Sequence, residues 1–163
     1  QGLRKLGAAS GMEVVIIRPP LVYGKGVGAN FAELVRLVQK KWPLPFGAID
    51  NRRSLIAVEN LVDFILCCVS DQRAAGKVFL VSDGDDISTA ELVRRIANAE
   101  GREARLLPVP VWMLKIASEL FGRRQAMARL CGNLQIDISE ANGLMDWQPV
   151  IEMNKALRKM IQG

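Results

Sequence analysis

Residues 14–30, VVIIRPPLVYGKGVGAN, carry the strongest indication of how this chain folds. The four consecutive apolar residues from Val14 to Ile17 are typical of a strand that is buried on both faces of a parallel sheet. Pro19 and Pro20 come next, and because proline lacks a backbone donor and fixes its own φ, they predict an extended exit from the sheet. Ligands bind at the carboxyl ends of strands in open parallel sheets, so the loop that follows is a candidate ligand site.

That loop contains Gly24, Gly26 and Gly28 and leads to a helix predicted to open at Phe31. Glycine lets the backbone approach a ligand closely, and the N-terminus of a helix favours an anion. The pattern departs from the dinucleotide fingerprint, because its third glycine comes one residue early and no acidic residue lies near the expected offset of ~20 residues. The sequence also lacks the Gly-Lys-Ser/Thr of a P-loop.

Further along the chain, predicted strands alternate with predicted helices, which indicates an α/β body followed by a mostly helical lobe. The predicted strands cover residues 14–18, 52–58, 77–82, 104–107 and 134–138. The predicted helices cover residues 2–9, 31–41, 59 onwards, 89 to about 99, 111–121, 139–144 and 153–160.

Local signals define the starts and apolar sides of several of these helices. Ser88 and Glu91 form a capping box that predicts a helix start at Thr89, and Ser139 is expected to cap the turn that follows it. The helix that begins at residue 59 is expected to carry its apolar residues on one side, at Leu61, Val62, Ile65, Leu66 and Val69. The next-but-one helix has its apolar residues at Leu114, Ala117, Leu120 and Phe121.

The composition suits one well-buried core, with 163 residues of which 50% are apolar. Lysine and arginine number 22 against 17 acidic residues, a net charge of +5. The basic residues form the pairs Lys40-Lys41, Arg52-Arg53, Arg94-Arg95 and Arg123-Arg124. These pairs fit a solvated face, an anionic small ligand or nucleic acid. Nucleic acid is the least favoured, because the pairs are spread out and Trp42 is the one aromatic residue beside any of them.

The chain has no histidine, which excludes Ser-His-Asp and Cys-His catalysis and every His-ligated metal site. Cys67, Cys68 and Cys131 show no metal-ligand spacing, so we expect reduced core cysteines, a cytoplasmic protein and no metal. No apolar run approaches the ~20 residues of a membrane span, and no signal peptide is visible. The first residue is Gln1, within a helical pattern that lacks a cap, so we expect a piece of a longer protein.

Tyr23 is the one tyrosine of the sequence, and the residue four positions later is Val27 rather than lysine. A Tyr-x-x-x-Lys acid–base pair is therefore missing, and we expect Tyr23 to pack beneath the edge of the sheet. We predict no catalytic residue in this chain. The loop WPLPFG, residues 42–47, is held extended by two prolines and offers a flat apolar surface that suits a stacked ring.

Four ordered segments carry a family resemblance: GMEVVIIRPPLVYGKGVGANFAELVRLV, PLPFGAIDNRRSLIAVENLVDFI, VSDGDDISTAELVRRIA and LQIDISEANGLMDWQPV. Together they resemble the C-terminal half of an extended short-chain dehydrogenase/reductase of the NAD-dependent nucleotide-sugar epimerase/dehydratase family, and within it bacterial UDP-glucose and UDP-N-acetylglucosamine 4-epimerases. The resemblance implies a Rossmann domain that holds NAD and a smaller domain that closes over a UDP-sugar. It also implies oxidation of sugar carbon 4 to a transient 4-keto sugar, driven by a Tyr-x-x-x-Lys pair that precedes Gln1.

The resemblance assigns roles to five residues near the cofactor and the diphosphate. Pro19 and Pro20 match the loop that packs beside nicotinamide. Asn30 and Phe31 match a helix start where an asparagine and a main-chain amide meet the diphosphate and sugar. Arg53 matches an arginine on the diphosphate, where a guanidinium offers a bidentate fork to phosphate oxygens.

Further positions concern the uracil and the departures from the family. Leu44, Pro45 and Phe46 match the loop that packs on uracil. Leu21 stands where many relatives have a substrate-binding asparagine, and Lys25 replaces a common proline. The candidates for a second phosphate-binding arginine are Arg123, Arg124 and Arg129.

The sequence therefore predicts the end of a Rossmann-type parallel sheet, at about residues 1–30 and 50–82, with a substrate-binding lobe in the remaining segments and the NAD-binding half absent. We expect part of a UDP-hexose 4-epimerase that is inactive alone and has no nucleic-acid or membrane partner. The alternatives are a 4-ketoreductase or 4,6-dehydratase of nucleotide sugars, or a non-catalytic binding module. The resemblance also implies a homodimer through helices that lie mostly outside this chain.

Overall fold

The computed structural model of the chain describes residues 11–26 and 28–162, apart from the side chains of Ala29 and Asn30. The helix predicted over residues 2–9 lies outside the described residues. The predicted α/β fold is confirmed, with short parallel strands and mostly helices.

Four strands of three residues each lie in the described part of the chain. They are β1 (Ile16–Arg18), β2 (Leu21–Tyr23), β3 (Leu55–Ala57) and β4 (Val78–Leu80). β1 pairs in parallel with β4, and β2 pairs in parallel with β3. The strands are short, but all are parallel, as the buried apolar runs of the sequence predict.

Seven α-helices and one 3₁₀ turn lie in residues 11–26 and 28–162. They are α1 (Ala29–Gln39), α2 (Val58–Ser70), the 3₁₀ turn Gln72–Ala74, α3 (Thr89–Ala99), α4 (Val111–Leu120), α5 (Arg124–Cys131), α6 (Ser139–Met145) and α7 (Met153–Gln162). The predicted start of α3 is confirmed, because the Ser88 hydroxyl accepts a hydrogen bond from the Glu91 amide at 3.1 Å. Across the described residues, no helix has the length and apolar content to cross a membrane.

The sequence predicted that the chain leaves the sheet at Pro19 and Pro20, but the structure has a further strand directly after them. β2 begins directly after Pro20 and pairs with β3, so the chain passes from one two-stranded ladder to the next. Proline has no backbone donor, so strand pairing is interrupted at Pro19 and Pro20. The residues around a proline favour an extended backbone, so the chain can continue as a strand and pair with β3. Gly24 then passes close to α2, where a Cβ would lie 2.5 Å from Cγ1 of Val58.

A buried polar network joins the ends of these strands. The Tyr23 hydroxyl donates to Oδ2 of Asp83 at 2.6 Å, and Asp83 also accepts from the Ala57 amide and from Nδ2 of Asn60. Asn60 in turn accepts from the Ile151 amide and donates to its carbonyl. Tyr23 is fully buried, as expected, but it is the last residue of β2 and so belongs to a strand rather than lying beneath the edge of the sheet.

The core has two apolar clusters. The larger one joins α1, α3 and α7 to the loop at residues 44–49, and it contains Phe31, Val38, Phe46, Val93 and Leu157. The smaller one lies between α2, β4 and α6. There the ring of Phe64 packs edge-on against Phe79, with centroids 5.4 Å apart, and against Trp147, with centroids 5.0 Å apart.

Two helices bury a different side from the one that their apolar spacing suggests. α2 buries Asn60, Phe64 and Cys68 and exposes the α2 surface, defined here as Val62, Ile65, Leu66 and Val69. α4 buries Leu114 and Ser118 and exposes the α4 surface, defined here as Trp112, Met113, Ile116, Leu120 and Phe121. Both helices are apolar on most sides, so periodicity alone does not identify the buried side.

The remaining differences from the predictions concern irregular segments. α5 was not predicted. The strands expected at residues 104–107 and 134–138 are single bridges, from Leu106 to Leu44 and from Leu134 to Arg53. Ser139 is the first residue of α6 rather than its cap, and its amide donates to Oδ1 of Asp137.

Candidate functional site

A cavity of about 550 Å³ opens between α1, α3 and α5. Its walls are mostly apolar, and its base carries the start of β3. The apolar lining residues are Leu21, Phe31, Leu34, Leu37, Phe46, Leu55, Ile87, Leu92, Met127 and Leu130. A volume of this size is typical of a site for a small molecule or cofactor.

Arg53 lines this cavity, and its guanidinium forms no ion pair with any of the residues that the structure describes. Its main chain is fixed on both sides, since its amide donates to the Ile87 carbonyl at 3.0 Å and its carbonyl accepts from the Ile87 amide at 3.1 Å. Partial burial lowers the pKa of Arg53. No acidic side chain in the described residues pairs with it. A half-buried cation without a partner is costly, so the site favours an anion.

Four more cations line the same cavity, namely Arg36, Lys40, Arg123 and Arg129, and Glu33 is the acidic residue among the lining residues. The Lys40 ammonium lies 5.5 Å from the ring centroid of Trp42, and none of the four forms an ion pair within the described residues. The cavity therefore has an apolar wall and a strongly positive potential. This combination suits a ligand with a flat ring at one end and phosphates at the other.

The first turn of α1 contributes to the same potential. Phe31 lines the cavity, and α1 has neither a side-chain cap nor an acidic residue in its first turn. The first amides of any helix lack intrahelical partners, so they are available to an anion.

Asn51 fixes α5 against α3 and thereby orients part of the cavity wall. This side chain is buried, and its amide group donates to the carbonyls of Leu130 and Gly132 at 3.0 and 2.9 Å. Its oxygen accepts from the Thr89 amide at 2.8 Å. Since Arg129 lies one residue before Leu130, the position of this cation depends on Asn51.

The structure brings Phe31, Phe46 and Arg53 together in one cavity. Pro19 and Pro20 lie outside its lining, between β1 and β2, while their neighbour Leu21 lines it.

Of the other predicted site residues, Leu44 and Pro45 do not line the cavity, and Asn30 is described only in its main chain. Leu44 is buried and donates its amide to the Arg105 carbonyl at 2.8 Å, and neither it nor Pro45 lines the cavity. Asn30 is in α1 beside Phe31. The assigned roles of these residues stay predictions.

Among the candidates for a second arginine, Arg123 and Arg129 line the cavity. Arg124 does not line the cavity, and its Nε atom lies 3.6 Å from Oε1 of Glu119. Arg36 and Lys40 also line the cavity and were not among the residues predicted for the site. Their spacing in the sequence could have indicated them, since one side of α1 carries residues at i, i+3, i+4 and i+7, namely Glu33, Arg36, Leu37 and Lys40.

Burial raises the pKa of Tyr23, and the neighbouring Asp83 raises it further, so the phenol stays protonated and donates to Asp83. In residues 11–26 and 28–162 there is no group of three or more acidic or cysteine side chains that could hold a metal ion.

Comparison with known proteins gives consistent matches. Residues 1–82 match the model of the NAD dependent epimerase/dehydratase family. A UDP-glucose 4-epimerase from Vibrio cholerae is 49% identical over 158 residues, which cover 96% of this chain and 48% of that protein. The chain thus spans about half the length of this curated relative.

Solved structures show the same fold at low sequence identity. A UDP-N-acetylglucosamine 4-epimerase from Bacillus cereus superposes with a TM-score of 0.72 and 17% identity, over 98% of this chain and 52% of that one. A UDP-glucose 4-epimerase from Thermotoga maritima, solved with UDP-glucose, superposes with a TM-score of 0.68 and 15% identity, over 99% of this chain and 48% of that one.

Proposed function

The chain belongs to the NAD dependent epimerase/dehydratase family, and on that premise we propose that it is the nucleotide-sugar-binding part of a UDP-hexose 4-epimerase. The 49% identity to a UDP-glucose 4-epimerase supports this proposal. One structural observation carries it: the unpaired Arg53 guanidinium lies in the same apolar cavity as Phe31 and Phe46.

In this proposal, Arg53 binds the diphosphate through its two-pronged guanidinium, and the first amides of α1, at Asn30 and Phe31, bind the same anion. Arg123 or Arg129 supplies the second arginine, since both line the cavity. The loop from Leu44 to Phe46 is proposed to hold the uracil through Phe46, the residue of this loop that lines the cavity.

NAD is the proposed cofactor, as the family description indicates. A bound NAD would supply a reversible hydride acceptor for the oxidation at sugar carbon 4. Pro19 is exposed and Pro20 half-buried at the carboxyl end of β1, so both are accessible to a flat ring and would form a rigid wall beside it. Most of the NAD site is proposed to lie outside this chain.

The chain alone is proposed to be inactive, because it has no Tyr-x-x-x-Lys pair. The proposed division places the end of the Rossmann sheet at about residues 1–30 and 50–82, and the four strands all lie in these ranges. Cys67, Cys68 and Cys131 are free thiols, which supports a cytoplasmic location. A homodimer of the whole protein remains part of the proposal.

The test is a titration of the chain with UDP, UDP-glucose and UDP-N-acetylglucosamine, and separately with a single-stranded oligonucleotide, by calorimetry at two salt concentrations. We expect saturable binding of the three uridine nucleotides. A basic nucleic-acid surface would instead bind the oligonucleotide with a steep salt dependence and ignore UDP, which would refute the proposal.

The alternatives differ in chemistry rather than in this binding site. A 4-ketoreductase or a 4,6-dehydratase would bind the same nucleotides, while a non-catalytic module would bind them without turnover. Incubation of the intact protein with UDP-glucose and NAD, followed by sugar analysis, separates these outcomes, since only an epimerase yields UDP-galactose without a net change in redox state.

A further inference from the structure

In contrast to the sequence-based expectation of no membrane partner, we propose that the α4 surface docks on an anionic phospholipid membrane. Between 46% and 80% of each side chain of this surface is exposed: Trp112 63%, Met113 46%, Ile116 53%, Leu120 80% and Phe121 78%. Trp112, Ile116 and Leu120 follow each other at i, i+4 spacing, so they lie along one side of α4, opposite the buried Leu114 and Ser118. Five large apolar side chains on one small surface exceed the scattered exposure that is normal for a protein surface.

The charges beside the α4 surface fit an anionic partner. Residues 111–131 contain Lys115, Arg123, Arg124 and Arg129 against a single acidic residue, Glu119. All four basic side chains are exposed, although Arg123 and Arg129 also line the cavity and Nε of Arg124 lies 3.6 Å from Oε1 of Glu119. A short helix with large apolar residues on one side and basic residues beside them is typical of a segment that lies in the interface of an anionic bilayer. An exposed tryptophan suits the headgroup region of such an interface.

The α2 surface is a comparison within the same molecule. It also exposes large apolar side chains, with Leu66 60% and Val69 81% exposed. However, residues 58–71 contain Glu59, Asp63 and Asp71 and no basic residue. Glu59 and Asp71 form ion pairs with Lys159 and Arg73, so the α2 surface has no excess of basic charge that would attract an anionic membrane. Apolar exposure is common to the two surfaces, and the net charge beside them is what differs.

The α4 surface also lies beside the cavity. Phe121 is followed after one residue by Arg123, which lines the cavity, and the Arg123 amide donates to the Ser118 carbonyl of α4 at 2.7 Å. Docking of α4 would therefore hold the cavity next to the bilayer. The proposal is independent of which ligand the cavity binds.

The test is co-sedimentation of the intact protein with vesicles of phosphatidylcholine alone and of phosphatidylcholine with phosphatidylglycerol. We expect binding to the anionic vesicles, with weaker binding at high salt. The variant Leu120→Ser/Phe121→Ser should lose roughly tenfold or more of this affinity, because two large apolar groups no longer enter the bilayer. The variant Lys115→Gln/Arg124→Gln should lose about 25-fold, since each of the two basic residues near an anionic surface contributes about fivefold.

The matched control is Leu66→Ser/Val69→Ser, which removes two exposed apolar side chains from the acidic α2 surface and should leave vesicle binding unchanged. Circular dichroism and the melting temperature of each variant verify that the fold is intact. The proposal is overturned by equal binding to neutral and anionic vesicles, by no binding, or by equal losses in the α2 and α4 variants. It is also overturned if the α4 variant converts a dimer into a monomer in sedimentation without a change in vesicle binding, because the occupant is then a second copy.

Discussion

Replacement of Arg53 by methionine should change ligand binding and stability in opposite directions. In the free protein the guanidinium is partly buried, its pKa is lowered by burial, and it has no acidic partner among the described residues. Methionine has a similar length and no charge, so it removes the desolvation cost and should raise the free energy of unfolding by about 1 kcal/mol. For a chain of this size, that corresponds to an increase in melting temperature of roughly 2–4 °C.

The same substitution should weaken UDP binding. A charge-assisted hydrogen bond contributes about 1.5–3 kcal/mol net, and Arg53 would form two with the diphosphate. Arg36, Lys40, Arg123 and Arg129 line the same cavity and would partly compensate. We therefore expect a loss of about 2 kcal/mol, a roughly 30-fold increase in Kd. Arg53→Lys keeps the charge but not the fork, so we expect a loss of only about 1 kcal/mol, roughly fivefold.

The assay combines calorimetric titration with UDP and urea unfolding of the free variants. Arg94→Met is the matched control, because Arg94 lies on α3 outside the cavity lining, with half of its side chain exposed, and should alter neither quantity appreciably. The reasoning is refuted if Arg53→Met binds UDP within threefold of the original chain, or if it is less stable than the original chain without ligand.

Three further predictions concern the scaffold. Gly24→Ala places a Cβ 2.5 Å from Cγ1 of Val58 and should cost about 2 kcal/mol or more in urea unfolding, whereas Gly26→Ala, with open space around it, should cost only about 1 kcal/mol for its positive φ. Burial raises the pKa of the Asp83 carboxyl above its ordinary 3.8. The protonated carboxyl therefore contributes its full stabilisation below pH 3.8, and this contribution is lost as the pH rises through the raised pKa. The stability of the original chain relative to Asp83→Asn should fall with rising pH in this window, and a flat difference would contradict the assignment. Asn51→Leu leaves the Thr89 amide and the Gly132 carbonyl without their partner, while the Leu130 carbonyl keeps the Thr89 hydroxyl as a donor. The substitution should cost about 2 kcal/mol of stability and also weaken UDP binding through Arg129. Tight UDP binding by a destabilised variant would show that Asn51 does not position the cavity.

Local signals in the sequence were sufficient for several elements. The capping box at Ser88 predicts the start of α3, and the apolar spacing of Phe31, Leu34, Val35 and Val38 predicts α1 with its correct buried side. These signals are short-range, because a cap and an amphipathic stripe each involve residues within one or two turns. Arg53 was selected through the family resemblance, as neither its spacing nor its neighbours distinguish it from the other arginines.

The buried sides of α2 and α4 could not be inferred in this way. Both helices are apolar on most of their circumference, so several orientations satisfy the pattern, and contacts with Phe79, Trp147 and other distant residues select one of them. The pairing of β2 with β3 is likewise a contact between segments more than 30 residues apart.

The sequence was sufficient to indicate an α/β chain with parallel strands, a capped α3 and a buried tyrosine without a lysine partner, since each of these depends on residues that are neighbours along the chain. The cavity required the folded structure. It joins Arg53 to Arg123 and Arg129, about 70 residues later, and within residues 11–26 and 28–162 it leaves the guanidinium of Arg53 without an ion pair. Convergence of side chains from such distant segments depends on how the helices pack together, and no local pattern encodes it.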